Sequence, residues 1–155
     1  MNLMQELMNQ SIVGGLLNTQ AIRHFSPTEI RETIQRLVAV EQLNLANALG
    51  DAGLSLYPHS EDILAITSLL ALMNQDWSLA VELIEELMRL QSNQTPALTF
   101  VMMVRALRCN KESDRALAVA KQGLALYPEH VELLAEKRAL NDLTDDSLPV
   151  IERQH

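Results

Sequence analysis

Few residues in this chain could do chemistry, and their spacing argues against most of it. Four histidines, His24, His59, His130 and His155, stand apart. No two share the i, i+4 separation that sets imidazoles around a metal on one helical face, so they read as surface histidines. Glu85-Glu86 and Asp145-Asp146 are the paired carboxylates. Adjacent residues on a helix do not face each other, and Asp145-Asp146 falls in a stretch that reads as an acidic tail. Solvated charge is expected at both, not an acid–base pair. Cys109 is alone, which rules out an internal disulfide or a cysteine-built metal site; helix packing is its expected role rather than redox chemistry. No Gly-x-Gly-x-x-Gly run, phosphate loop or Gly-x-Ser-x-Gly elbow occurs. The expectation is a non-enzyme with no catalytic residues, no metal and no cofactor. The seven methionines fit either a core or an adaptable surface for apolar partners.

Composition points the same way. The 155 residues suit one domain. They are 48% hydrophobic but only 3% aromatic, which favours helices packed through Leu, Ala and Met over a β-rich core. A net charge of −8 opposes neutralising phosphates, so no nucleic-acid partner is expected. There is no signal-peptide pattern and no apolar run of roughly 18 residues or more, so membrane insertion is not expected and a cytoplasmic location is.

The elements that would position a binding surface are announced by a repeat. Gly53-Leu54-Ser55-Leu56-Tyr57-Pro58 returns as Gly123-Leu124-Ala125-Leu126-Tyr127-Pro128, with Ala46 and Ala48 matched by Ala116 and Ala118. A degraded third copy begins at Ala80, with Ser92 in place of the proline; the three alanines are spaced by 34 and 36 residues. Self-similarity at such a period marks stacked helical hairpins. Start signals agree. Ser26-Pro27-Thr28-Glu29 is a capping box with proline at the first helical position. Ser60 caps a helix from Glu61 to about Met73, Asp76 and Ser113 cap later ones, and Thr95-Pro96 opens another. Pro128-Glu129 opens a last helix whose Glu132, Glu136, Lys137, Arg138 and Asp142 suit a polar outer face.

A two-helix unit of about 34 residues, with a small residue early in its second helix and a closing proline, resembles the tetratricopeptide repeat. Ala46, Ala80 and Ala116 match the small residue where the paired helices cross; Gly53 and Gly123 match the next small position, and Pro58 and Pro128 the closing proline. The first helices depart from the family pattern, carrying Ile30, Ile34 and Leu37, then Leu64, Ser68 and Ala71, then Phe100, Val104 and Leu107. The expected fold is an all-α solenoid. Residues 1–25 form an N-terminal helical arm and 26–143 carry the repeats (26–59, 60–94, 95–128, and a cap over 129–143). A flexible tail is expected over 144–155. Size and acidity are also similar to the small tetratricopeptide chaperones of bacterial type III secretion.

The resemblance implies a concave groove lined by the first helices. On this register it falls to Arg31, Gln35, Ala65, Leu69, Leu72, Met73, Val101, Arg105 and Arg108. Such a groove, aliphatic at its centre with arginines at both ends, suits an amphipathic helix with acidic flanks; the alternative is that Leu69 and Met73 pack in the core. The expected function is a protein–protein interaction module, an adaptor or chaperone. The other reading is a structural subunit whose apolar faces close a homodimer or larger assembly. Leu3, Met4, Leu7 and Met8 form an apolar stripe outside the repeat, ahead of Gly14-Gly15. That stripe is expected to fold over the groove, reach a neighbouring subunit or cap the first hairpin.

Overall fold

The computed structural model describes residues 22 to 146, with side chains to residue 143. Leu3, Met4, Leu7 and Met8, most of the expected arm, and the tail beyond Asp146 lie outside those residues. All elements among the described residues are helical. They are α1 (Pro27–Ala39), α2 (Leu43–Leu56), α3 (Glu61–Met73), α4 (Trp77–Gln91), a 3-10 turn (Ser92–Gln94), α5 (Ala97–Cys109), α6 (Ser113–Leu126) and α7 (Val131–Asp146). The chain divides into two compact units between Gln91 and Ser92.

The first unit holds two hairpins, α1 with α2 and α3 with α4. The Ser26 box forms in full: Glu29 N–H donates to Ser26 Oγ at 3.1 Å, and Ser26 N–H donates to Glu29 Oε1 at 3.1 Å. Ser60 Oγ accepts from Ile63 N–H at 3.4 Å, and Asp76 Oδ1 from Leu79 N–H at 3.4 Å. These caps satisfy donors that a helix start leaves orphaned. Ile30, Ile34 and Leu37 of α1 meet Ala46 and Leu49 of α2 and Ile63, Ile66 and Leu70 of α3 in one buried cluster, which also takes in Ile22. Ala46 and Ala80 have no exposed surface.

The hairpin turns carry no glycine or proline, and the structure shows what replaces them. Glu41, Gln75 and Lys111 adopt φ of 60°, 60° and 63°. Their spacings, 34 and 36 residues, are those of the three alanines. In each turn the next N–H, of Gln42, Asp76 or Glu112, donates to a carbonyl five residues back, at Leu37, Ala71 or Leu107, over 2.8, 2.9 and 2.8 Å. A left-handed residue closing such a bond ends a helix without a special residue, at a steric cost.

In the second unit α5 packs on α6, and α7 on both. Three local expectations are corrected here. Thr95 does not cap α5; its hydroxyl donates to the Ser92 carbonyl at 2.8 Å, closing the 3-10 turn, and the cap position falls to Pro96 without a side-chain bond. Ser113 lies inside α6, whose cap residue is Glu112, also without a side-chain bond. The last helix opens at Val131, not Pro128, and His130 Nδ1 accepts from Leu133 N–H at 3.4 Å. It runs on to Asp146, past the expected tail boundary. Both Tyr-Pro stops act alike. Tyr57 and Tyr127 end α2 and α6 at φ −131° and −129°, and their hydroxyls donate at 2.7 Å to the carbonyls of Phe25 and Thr95.

Candidate functional site

On the first unit, α1 and α3 lie side by side and leave a depression of about 200 Å³ lined by Gln35, Val38, Ile66, Leu69, Leu70 and Met73. Helical spacing explains the lining. On α1 the 35 and 38 positions follow one another on one face, as do 66, 69, 70 and 73 on α3. No lining residue is charged, and α3 places five further buried residues, Ile63, Leu64, Thr67, Ser68 and Ala71, off the depression. Leu69 and Met73 are 38% and 50% exposed, so they are not core residues. Of the residues expected in a groove, this depression brings together Gln35, Leu69 and Met73. Ala65 and Leu72 are half-buried on α3 and do not line it. Val38, Ile66 and Leu70 were missed. The same i, i+3, i+4 spacing that selected Gln35 and Leu69 would have found them.

Arg31 stands one turn before Gln35 and is engaged by its own chain. Its guanidinium donates to Asp62 Oδ1 at 3.0 Å and lies 3.9 Å from Glu32, while Thr28 Oγ1 donates to Asp62 Oδ2 at 3.0 Å. This end of the α1–α3 face is therefore polar and bonded within the chain, with Arg31 Nε buried and left without a hydrogen-bond partner.

The second unit holds the other expected lining residues, and two findings revise the expectation there. Val101 is fully buried and offers no surface, because α5 buries an unbroken run from Thr99 to Val104. Arg105 and Arg108 converge on Glu136 of α7. Arg105 Nε donates to Glu136 Oε1 at 2.8 Å, Arg108 Nε to Glu136 Oε2 at 3.2 Å, and Arg105 also reaches Glu132 at 3.2 Å. Glu136, expected on a polar outer face, is only 8% exposed. The Glu136 carboxylate beside it raises the Arg105 pKa above its ordinary value. Both arginines are thus occupied by the chain's own acids.

Among the described residues no three His, Cys, Asp or Glu side chains converge as metal ligands, and no helix is long and apolar enough to cross a membrane. Cys109 is half-buried at the end of α5. His59 faces Glu86 at 3.3 Å.

No family model and no curated protein matches this chain. Solved structures do match. MamA RS-1, in an ArsTM double-mutant form, aligns with a TM-score of 0.70 at 16% identity, over 81% of this chain and 70% of that one. YrrB, described as a tetratricopeptide-repeat protein with an unusual peptide-binding site, aligns at 0.66 and 17% identity, over 83% of this chain and 66% of its own length. The chain has the tetratricopeptide-repeat fold. An assembly chaperone of RpL4 shares it at a TM-score of 0.59 and 16% identity, this chain spanning 58% of its length. Ala46, Ala80 and Ala116, the residues matched to that repeat's small position, are all buried.

Proposed function

We propose that this chain is a non-catalytic protein-binding module that works in the cytoplasm and takes an apolar side chain of a peptide or helix into the depression on α1 and α3. The observation that carries the reading is the exposure of Leu69 and Met73 within a wholly uncharged lining. Its volume, about 200 Å³, falls below the roughly 300 Å³ at which small-molecule pockets begin, but it suits an anchor side chain set in a neutral surround. Arg31, Arg105 and Arg108 are already bonded to Asp62, Glu132 and Glu136, so the apolar anchor supports the reading and acidic flanks on the partner do not. An adaptor or chaperone role, secretion among its settings, accords with the chain's size and acidity.

Comparative capture tests this. Tagged wild type and Leu69→Arg are used as baits in an extract of the native host, after circular dichroism shows both folded. The expected result is a specific protein retained by the wild type and lost by the variant. The same protein retained by both overturns the depression as the docking surface.

The second reading, a structural subunit closing a homodimer, is favoured by one observation. Leu126, Val131 and Leu134, at the end of α6 and the start of α7, are 57%, 77% and 42% exposed. Sedimentation that shows a dimer in the wild type and a monomer in Val131→Asp would favour it.

A further inference from the structure

We propose that a second cavity in the first unit, between α2, α3 and α4, is a binding site for a lysine side chain of a protein partner. The inference goes beyond the apolar docking surface, because this cavity lies against α2 and α4 instead of α1 and its lining is of another chemistry.

The cavity holds about 60 Å³. Asn47, Asp51 and Leu54 follow one another at helical spacing on α2, as do Leu79 and Leu83 on α4. Asn74 closes α3, and Asp76 stands just ahead of α4. The walls are therefore largely leucine, while the polar groups are two carboxylates and two side-chain amides. No lysine, arginine or histidine lines it.

The existing bonds leave oxygen acceptors over. Asn74 Nδ2 donates to Asn47 Oδ1 at 2.9 Å, so Asn74 Oδ1 remains an acceptor. Asp76 Oδ1 takes the Leu79 N–H at 3.4 Å, and its second oxygen takes nothing among the described residues. The Asp51 carboxylate has no hydrogen-bond or ion-pair partner among the described residues. Free acceptors beside aliphatic walls complement a cationic head on a methylene stem. An ammonium is compact and carries three donors, whereas a guanidinium is a planar fork, so a narrow cavity favours lysine. No third carboxylate, histidine or cysteine among the described residues joins Asp51 and Asp76. That donor set suits an organic cation better than a metal ion.

Charge and the internal repeat support the assignment. Residues 22 to 91 hold ten acidic residues against four arginines, and Arg31 and Arg89 are already bonded to Asp62 and Glu86. The field of this unit therefore draws cations. In the second copy of the motif, Leu117 and Lys121 stand where Asn47 and Asp51 stand. The matching helix forms with those residues, so the fold does not call for the amide and the carboxylate.

Nuclear magnetic resonance on the isotope-labelled full chain tests this, with a capped Ala-Lys-Ala peptide as the probe. The side-chain amide signals of Asn47 and Asn74 should shift to saturation. A norleucine peptide, with the stem but no charge, should bind several-fold more weakly. Asp51→Asn should weaken the lysine peptide several-fold, and Asp51→Lys, which copies the second motif, should abolish the response. Leu69→Arg should leave it unchanged, so failure here and failure of the apolar docking surface are told apart. No saturable shift, or an equal response in Asp51→Asn, overturns the site. Equal binding of norleucine overturns recognition of charge, and tighter binding of an arginine peptide overturns the choice of lysine.

Discussion

Tyr127 Oη sits 2.7 Å from the Thr95 carbonyl oxygen, and it fastens the end of α6 to the residue that precedes α5. Tyr57 does the same to Phe25, also at 2.7 Å and also across 32 residues. The Tyr-Pro pair is thus more than a stop signal: its ring closes the hairpin it ends. Each bond pairs a partly buried hydroxyl with a carbonyl, and such bonds contribute roughly 0.5–1.5 kcal/mol. Tyr57→Phe and Tyr127→Phe should each lower stability by about 1 kcal/mol, read by urea denaturation. A change in neither would mean that the hydroxyls find equal partners in water.

Gly53 and Gly123 occupy the same place in the repeated motif, yet alanine should act oppositely at the two. A Cβ at Gly123 would lie 3.0 Å from Leu133 Cδ1 and 3.0 Å from both Cβ and Cγ of Phe100. Phe100 Cβ is tied to its backbone and cannot retreat alone. At Gly53 the nearest atoms are Ile63 Cδ1 at 3.2 Å, the far end of a side chain, and Ile30 Cγ2 at 3.4 Å, an ordinary contact distance. Gly→Ala inside a helix gains about 0.5–1 kcal/mol, whereas overpacking costs roughly 1–3 kcal/mol. Gly53→Ala should therefore be neutral to stabilising and Gly123→Ala destabilising, as thermal unfolding of the two variants will show.

The left-handed hairpin turns are open to improvement. Gln75 at φ 60° bears a side-chain strain that glycine would not, and its side chain is exposed, so little packing is lost. Gln75→Gly should raise stability by up to about 1 kcal/mol, the residual of αL relief over the added freedom of the unfolded chain. A fall in melting temperature would count against the turn as described.

Glu86 carries the pH signature. Arg89 donates to it through both Nε, at 2.9 Å, and a second nitrogen, and His59 faces it at 3.3 Å. The Arg89 bonds, aided by His59, lower the Glu86 pKa from 4.5 to about 2. A carboxyl depressed on folding contributes stability above its unfolded pKa and loses it as pH falls through the folded one. The contribution should therefore be complete above about pH 4.5 and fade between there and about pH 2. Carboxyl NMR should place the Glu86 titration in that acid range in the wild type and return it toward 4.5 in Arg89→Ala.

The hairpins were legible because their signals are local. Ser26-Pro27-Thr28-Glu29 contains its whole cap, and Ala46, Ala80 and Ala116 keep one register. The start of α7 was misplaced by reading Pro128 as a helical first position. The earlier copy already held the answer, since α3 begins at Glu61, three residues after Pro58, as α7 begins at Val131, three after Pro128. The site was less legible because it depends on how helices are rotated against one another. Arg105 and Arg108 are spaced to line a surface, but whether they meet solvent or carboxylates is decided by α7. One clue was present. Glu136 lies three residues after Leu133 and four before Leu140, both buried, and so falls on the apolar stripe of its helix.

The side-chain bonds that join different helices are short in sequence: Arg31 to Asp62 across 31 residues, Asn74 to Asn47 across 27, Arg108 to Glu136 across 28. The main helix–helix contacts within each unit likewise join first or second neighbours in chain order. A polypeptide wired this way can settle while the ribosome is still adding to it. The α1–α2 hairpin can latch through Tyr57 as soon as that residue clears the exit tunnel, with no need to wait for α5. Contact patterns of this locality favour rapid, stepwise closure during synthesis over a single late collapse.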